Sequence, residues 1–189
     1  MIKNLRKYTL VHRLGLYLSI ITFLTVTSCS INKTFKWTNG NILKAEKLGL
    51  DTAQVLILAS LVEKETELKN EKGKIARVYL NRIEKDMLLQ SDPTVKYAIG
   101  DTSLKKLLKQ QIETDSPYNT YKYRGLPPGP ICKPTKESIM AVLKCKKHKY
   151  LYFCLAPDLD GKLNYASTYE EHTKNAKLYI DALNKKVIK

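Results

Sequence analysis

None of the compact signatures of nucleotide binding, serine hydrolysis or zinc proteolysis occurs in this chain: it has no glycine-rich phosphate loop, no GxSxG elbow and no HExxH pair. Its three histidines, His12, His148 and His172, stand far apart. Cysteine is scarce. Of the four, Cys132, Cys145 and Cys154 are too widely spaced for a zinc-ligand pair or a redox CxxC, so no metal site is expected from them. One disulfide among these three stays compatible with an exported protein, while Cys154, inside the apolar run YLYFCLA, reads as a small buried hydrophobe. Acidic residues are few as well, 18 against 33 Lys and Arg, which leaves a formal charge of +15. That excess suits an anionic partner (nucleic acid, a membrane face or an acidic wall polymer), or it reflects lysines spread over solvated helix faces. With no dense Arg block and no glycine-aromatic motif, nucleic acid is not expected as the partner.

An apolar stretch of about 20 residues, the length that crosses a bilayer comfortably, is also missing. The nearest thing is the run from Leu14 to Val26, preceded by Lys3, Arg6, Lys7 and Arg13 and closed by Thr27, Ser28 and Cys29. This is an export signature. VTSC resembles the signal-peptidase motif of bacterial lipoproteins, which would make Cys29 the lipidated first residue of the mature protein; the other reading is an uncleaved signal-anchor helix. Both place the rest of the chain outside the cytoplasm and at a membrane. The expected organisation is a signal or anchor segment over 1–29, a polar tether over 30–40 and one domain over 41–186, a size that can bury an ordinary core.

Within the domain, Asp51 and Gln54 have the spacing of a capping box. They open the Pro- and Gly-free run TAQVLILASLVEKETEL. At 100° per residue, Val55, Leu56, Ile57, Leu58, Ala59, Leu61 and Val62 cover almost the whole circumference, so the spacing predicts a central helix buried on most sides. EKGKIARVYLNRIEKDM, with Ile75, Val78, Leu80 and Ile83 among basic residues, predicts an amphipathic helix packed on the first. SDPTVKYAIG and TSLKKLLKQ suggest two short helical pieces. DSPYNTYKYRGLPPGPICKP is too long for a simple connector and too aromatic for a disordered linker, and loops of that kind carry function. A helix over Thr135–Cys145, an aromatic strand KYLYFCLA paired across DLDG with LNYAS, and a last helix opened by Thr168 and Glu171 complete a mainly helical α+β domain with a small β-hairpin.

One ionisable residue stands out. Glu63 lies just beyond the all-apolar part of the central helix, at an angle between those of Leu56 and Ala59, so its carboxyl extends an apolar stripe. Desolvation raises a carboxyl pKa, and a Glu kept protonated near neutral pH can act as a general acid. The alternative is that Glu63 marks where the helix emerges into solvent. Glu65 falls about 160° away round the helix, so the two do not readily serve one site. His172, on the last helix, reads more readily as a surface or satisfied histidine than as a ligand.

Taken in order, LASLVEKET, ARVYLNRI, LLQSDPTVKYAIG, DSPYNTY, GLPPGPI and YLYFC resemble the endolytic murein transglycosylase (YceG-like) family over about residues 41–186. The resemblance implies a lytic-transglycosylase catalytic domain that cuts the β-1,4 bond between N-acetylmuramic acid and N-acetylglucosamine in nascent peptidoglycan strands. The product is a 1,6-anhydromuramoyl end, and strand elongation is thereby limited. It implies Glu63, in the VEKE motif, as the catalytic residue, with Gln90, Asp92, Thr94, Tyr118, Asn119, Thr120 and Tyr121 lining the glycan cleft. It further implies no cofactor, peptidoglycan glycan strands as the partner, association with cell-wall synthases, and a place on the outer face of the cytoplasmic membrane. Full-length relatives carry a LysM-like wall-binding region before the catalytic part, where this chain has about a dozen residues. That departure keeps a second reading open, an inactive peptidoglycan-binding scaffold at the cell envelope.

Overall fold

The computed structural model describes residues 35–104 and 106–187. The expected anchor segment with Cys29, and the tether up to residue 34, lie outside the described residues; among those described, no helix is long and apolar enough to cross a membrane. Thr38–Lys189 form one compact unit. Its described elements are α1 (Asn39–Lys47), α2 (Thr52–Glu65), α3 (Lys69–Glu84), α4 (Asp92–Ile99), α5 (Lys109–Ile112), α6 (Lys136–Leu143), β1 (Tyr152–Leu155), β2 (Leu163–Ala166) and α7 (Tyr169–Val187). The mainly helical α+β reading with a hairpin is thus borne out.

The helix α2 begins where local chemistry dictates. Asp51 accepts from the Gln54 N–H at 2.7 Å, and the Gln54 side chain accepts from the Asp51 N–H at 2.9 Å, a complete capping box. Val55, Leu56, Leu58, Ala59, Leu61 and Val62 are all buried, each large side chain contributing roughly 1.5–3 kcal/mol by leaving water. The polar exception, Ser60, donates to the Ile57 carbonyl at 2.7 Å and accepts from the Ile131 N–H at 3.0 Å. A hydroxyl in the core thereby pins the Pro-rich loop onto α2.

Packed on α2 are α3 and α6, and α7 covers the β1–β2 hairpin. The hairpin is antiparallel, with Phe153 opposite Tyr165 and Leu155 opposite Leu163. The basic face expected to be solvated on α3 is partly internal: Lys72, Arg77, Asn81 and Arg82 are buried beside Ile75, Val78 and Leu80. Burial of such groups requires partners, and they have them. Asn81 donates to the carbonyls of His148 and Tyr150 at 2.9 and 2.8 Å. Arg82 donates through Nε to the Leu151 carbonyl at 2.7 Å, and through one terminal nitrogen to those of Leu88 and Leu89 at 3.2 and 2.9 Å. Two polar side chains of α3 therefore carry the approach to β1 and the loop before α4.

Three local expectations are revised. α1 starts inside the stretch read as tether: Thr38 accepts from the Asn41 N–H at 3.3 Å, and Ala45 is buried. A cap and tertiary packing override the poor helix propensity of Asn39, Gly40 and Asn41. In TSLKKLLKQ only Lys109 and Gln110 are helical among the described residues. There Asp101 captures the Ser103 N–H and hydroxyl at 3.0 and 2.6 Å, a turn that competes with helix. At α7, Thr168 accepts from the Glu171 N–H at 3.2 Å, but the Glu171 carboxylate returns to the Ser167 N–H at 2.9 Å, one residue earlier than a regular box.

Candidate active site

The last turn of α2 aims two carboxyls at two different environments. Glu63 reaches the N-terminus of α6, where its Oε2 accepts from the Thr135 hydroxyl at 2.7 Å and the Thr135 N–H at 3.2 Å, from Lys72 Nζ at 3.3 Å, and from the Ser138 hydroxyl. Lys72 also donates to Ser138 Oγ at 2.8 Å. Partial burial pushes the Glu63 carboxyl up, but hydrogen bonds from Ser138, Thr135 and Lys72 outweigh it and hold the pKa at about 2. The sequence expectation of a protonated Glu63 is corrected here: the group that follows the apolar stripe meets a lysine and a helix N-terminus, both of which favour its charged form. Glu63 is an ionised latch joining α2, α3 and α6.

Glu65, the final residue of α2, behaves in the opposite way. Burial pushes its pKa up, and the nearby negative charge of Asp92 pushes the same way; hydrogen bonds from Ser91 and Tyr79 only partly offset them. Its Oε1 accepts from Tyr79 Oη at 2.5 Å and from Ser91 Oγ at 2.6 Å. Although closely surrounded, Glu65 keeps an opening to solvent through two depressions that meet at it. The first, about 320 Å³, is lined also by Gln90, Asp92, Tyr121, Phe153 and His172. The second, about 530 Å³, is lined also by Glu63, Lys64, Glu67, Lys72 and Glu137, so both acids of the helix end border it. A carboxyl beside two polar clefts, its protonated form favoured by burial, can give a proton to an oxygen lying across it and take one back as a carboxylate.

Three of the expected glycan-lining residues stand at the first cleft. The Tyr121 hydroxyl donates to Asp92 Oδ1 at 2.5 Å, which with burial pushes the Tyr121 pKa up and keeps it a donor. Gln90 has a left-handed backbone (φ 49°), held by its N–H donating to the Thr120 carbonyl at 3.0 Å, and its side-chain oxygen accepts from Arg82 at 3.3 Å. Thr94, Asn119 and Thr120 are wholly buried and lie behind the wall. Thr94 donates to the Ser91 carbonyl at 2.7 Å, and Thr120 Oγ1 lies 2.9 Å from Thr94 Oγ1 and accepts from the Ser91 N–H at 2.9 Å. Asn119 donates to the carbonyls of Ile112 and Thr114 at 2.8 and 2.7 Å. These three build the loop that presents Tyr121. Tyr118 stands apart, its ring 4.8 Å from that of Tyr97.

Glu65, Ser91, Tyr79, Arg82, Phe153 and His172 were not singled out by the sequence as site residues. Of these the sequence had weighed only Glu65, the second acid at the same helix end, and His172, which read as a surface or satisfied histidine. All but Glu65 come together through the fold from α3, the loop before α4, β1 and α7. Among the described residues no group of three His, Cys, Asp or Glu is placed to hold a metal ion. Cys132, Cys145 and Cys154 are free thiols, each with its pKa pushed up by burial.

The arrangement places a carboxyl whose pKa burial pushes up beside binding space on two sides. The chain belongs to the YceG-like family, whose model matches residues 21–178. It is 43% identical over 133 residues to the endolytic murein transglycosylase of Bacillus subtilis, and 36% identical over 137 residues to that of Streptococcus pneumoniae. Each match covers 70% of this chain, but only 36% and 25% of those relatives, so the chain spans about a third or less of their length. A crystal structure of a YceG-like protein from Listeria monocytogenes superposes with a TM-score of 0.62 at 42% identity, covering 69% of this chain and 41% of that one.

Proposed function

We propose that this protein is a lytic murein transglycosylase acting inside glycan strands, and that Glu65, rather than Glu63, is its acid and base. The observation that carries the reading is Glu65 itself, a carboxyl with a raised pKa at the meeting point of two clefts. Glu63, held ionised by Lys72, Thr135 and Ser138, is unsuited to give up a proton near neutral pH. The names of the B. subtilis and S. pneumoniae relatives support the substrate class.

In the reaction, protonated Glu65 donates to the oxygen joining C1 of N-acetylmuramic acid to C4 of N-acetylglucosamine, and the C1–O bond breaks. The muramoyl C6 hydroxyl then closes on C1 and passes its proton to the Glu65 carboxylate, which leaves a 1,6-anhydro end and restores the starting acid. No water is consumed. Because the internal hydroxyl is the nucleophile, a single carboxyl suffices where ordinary glycosidases use two. Asp92, held by Tyr121, assists by raising the proton affinity of Glu65.

Cys29, lipidated as the first residue of the mature protein, holds the domain at the outer face of the cytoplasmic membrane, and the excess of basic over acidic residues draws it to the acidic wall. A cutter of nascent strands works beside the synthases that extend them. The test is to digest uncrosslinked glycan strands with the full chain in detergent and to analyse product ends by mass. Anhydromuramoyl ends are expected. Reducing ends would make the protein a hydrolase, and tight strand binding without cleavage would make it a scaffold.

A further inference from the structure

The cleft in front of Glu65 has a second titratable residue that the proposed reaction leaves unused. His172, near the start of α7, lines it. Its ring stacks on Tyr152, with 5.3 Å between centroids and 22° between planes, and Tyr169 flanks it at 6.3 Å. The stacking fixes the plane of the imidazole, and it leaves the two ring nitrogens in unlike surroundings. Nδ1 is buried and meets no hydrogen-bond partner. A proton on Nδ1 would be a buried N–H with no acceptor, which folded proteins avoid more strictly than an unpaired lone pair. The same proton would be present in the imidazolium, where it would also carry charge.

The charged groups around the ring act in the same direction. Arg82 lies 5.2 Å from the centre of the same Tyr152 ring and opposes a second positive charge beside it. Burial and Arg82 together push the His172 pKa down. Glu65 and Asp92 share the cleft with it, but burial pushes the Glu65 pKa up and so disfavours its charged form, and Asp92 accepts from the Tyr121 hydroxyl. Among the described residues His172 is the one that α7 contributes to this wall, so its imidazole edge is the donor available to a ligand from that side. Its uncommitted nitrogen is Nε2.

We infer that His172 is a glycan-positioning residue, a neutral imidazole protonated on Nε2 whose N–H donates to an acceptor oxygen of an N-acetylhexosamine seated beside Glu65. The inference rests on the reading of this cleft as a glycan site. His172 moves no proton; it fixes one sugar so that the bridging oxygen lies over the Glu65 carboxyl. Positioning of this kind acts on rate through geometry. Gln at this place offers an amide N–H where Nε2 stands, while Phe keeps the stacking on Tyr152 and deletes the donor, so the two substitutions separate hydrogen bonding from packing.

The test uses the full chain labelled with ¹⁵N in detergent micelles. Long-range ¹H–¹⁵N correlations through the imidazole, assigned by their loss in His172→Gln, report the tautomer directly. We expect the Nε2–H form at neutral pH, and an Nε2 shift on adding a β-1,4-linked N-acetylglucosamine tetramer. In strand digestion His172→Phe should lose about 10- to 100-fold in kcat/KM, as loss of one buried donor predicts, with an unchanged unfolding midpoint; His172→Gln should stay within about threefold of wild type. An Nδ1–H tautomer, no shift with the tetramer, wild-type rates from His172→Phe, or an equal loss in both variants would overturn the inference. If His172→Phe does not fold, the tautomer, the tetramer shift and His172→Gln decide. Strands left uncut while the tetramer still moves Nε2 would refute the cleavage reading and leave His172 as a glycan contact; strands cut normally by His172→Phe would do the reverse.

Discussion

Replacing Glu65 and Glu63 in turn by Gln separates two carboxyls that sit two residues apart and look alike in the chain. Glu65→Gln preserves side-chain volume and keeps an oxygen able to accept from Tyr79 and Ser91. It removes only the transferable proton. General acid-base catalysis is worth about 10²–10⁴ in rate, or about 3–5 kcal/mol at about 1.4 kcal/mol per decade, and strand cleavage should fall by that factor. Stability should not fall. A carboxyl whose folded pKa is raised contributes stability below its unfolded value and loses it as pH rises through the folded one, so at neutral pH the neutral amide is at least as well tolerated. Glu63→Gln has the converse profile. It leaves Lys72, whose side chain is only 6% exposed, without its counter-charge, which costs about 2–3 kcal/mol once the partial exposure of Glu63 is discounted from the range for breaking a buried pair. Cleavage at a temperature where the variant is folded should stay within about tenfold of wild type. The assay is anhydromuramoyl release from uncrosslinked strands, with thermal unfolding measured on the same samples. An active Glu65→Gln beside a folded, inactive Glu63→Gln would refute the assignment.

Three further outcomes follow from the same geometry. The kcat/KM profile should decline as pH rises through the pKa of Glu65, since the protonated form is the donor, and the limb should lie above the ordinary carboxyl value of 4.5; a profile flat from pH 4.5 to 8 would contradict it. Stability should drop as pH falls from 4.5 towards the Glu63 pKa of about 2, a loss of up to about 3 kcal/mol. The unfolding midpoint of Glu63→Gln, followed over the same range, should lack that acid limb. Asn119→Ala strands the Ile112 and Thr114 carbonyls and removes the acceptor 2.9 Å from the Tyr121 N–H. It should lower stability by about 2–4 kcal/mol, or roughly 5–15 °C in Tm, read by calorimetry.

What the sequence made legible was local. The α2 helix could be read because its capping box needs only residues three apart and its apolar residues leave no face for water. The hairpin could be read because a turn stands between an aromatic run and the short segment that pairs with it. The environments of Glu63 and Glu65 could not be told apart by helical angle, for on a helix buried all round each flank of the last turn points at some other element. Which element carries a lysine and which a tyrosine is decided by tertiary packing. Thr94, Asn119 and Thr120 illustrate the same limit. Hydroxyls and amides in a long loop suit sugar recognition, but they suit equally the loop's own need to satisfy buried backbone groups, and at these three positions that need is what they meet. His172 stayed illegible because its significance depends on which ring nitrogen the fold leaves bare.

Arg82 holds together two chain segments that share no strand pairing with each other. Its guanidinium grips Leu151 on the way into β1 with one nitrogen, and Leu88, Leu89 and Gln90 with another. Gln90 is one lip of the first cleft, and Phe153, two residues beyond Leu151, is another. The gap between those lips is therefore set by the span of a single planar cation, a gauge block of fixed size between two otherwise independent pieces of wall. A lysine reaches with one point of charge and three rotating donors, and would hold the lips without setting their spacing. Loop 157–161, at the far side of the hairpin and free of this clamp, is where the chain can change length without altering the calibre of the cleft.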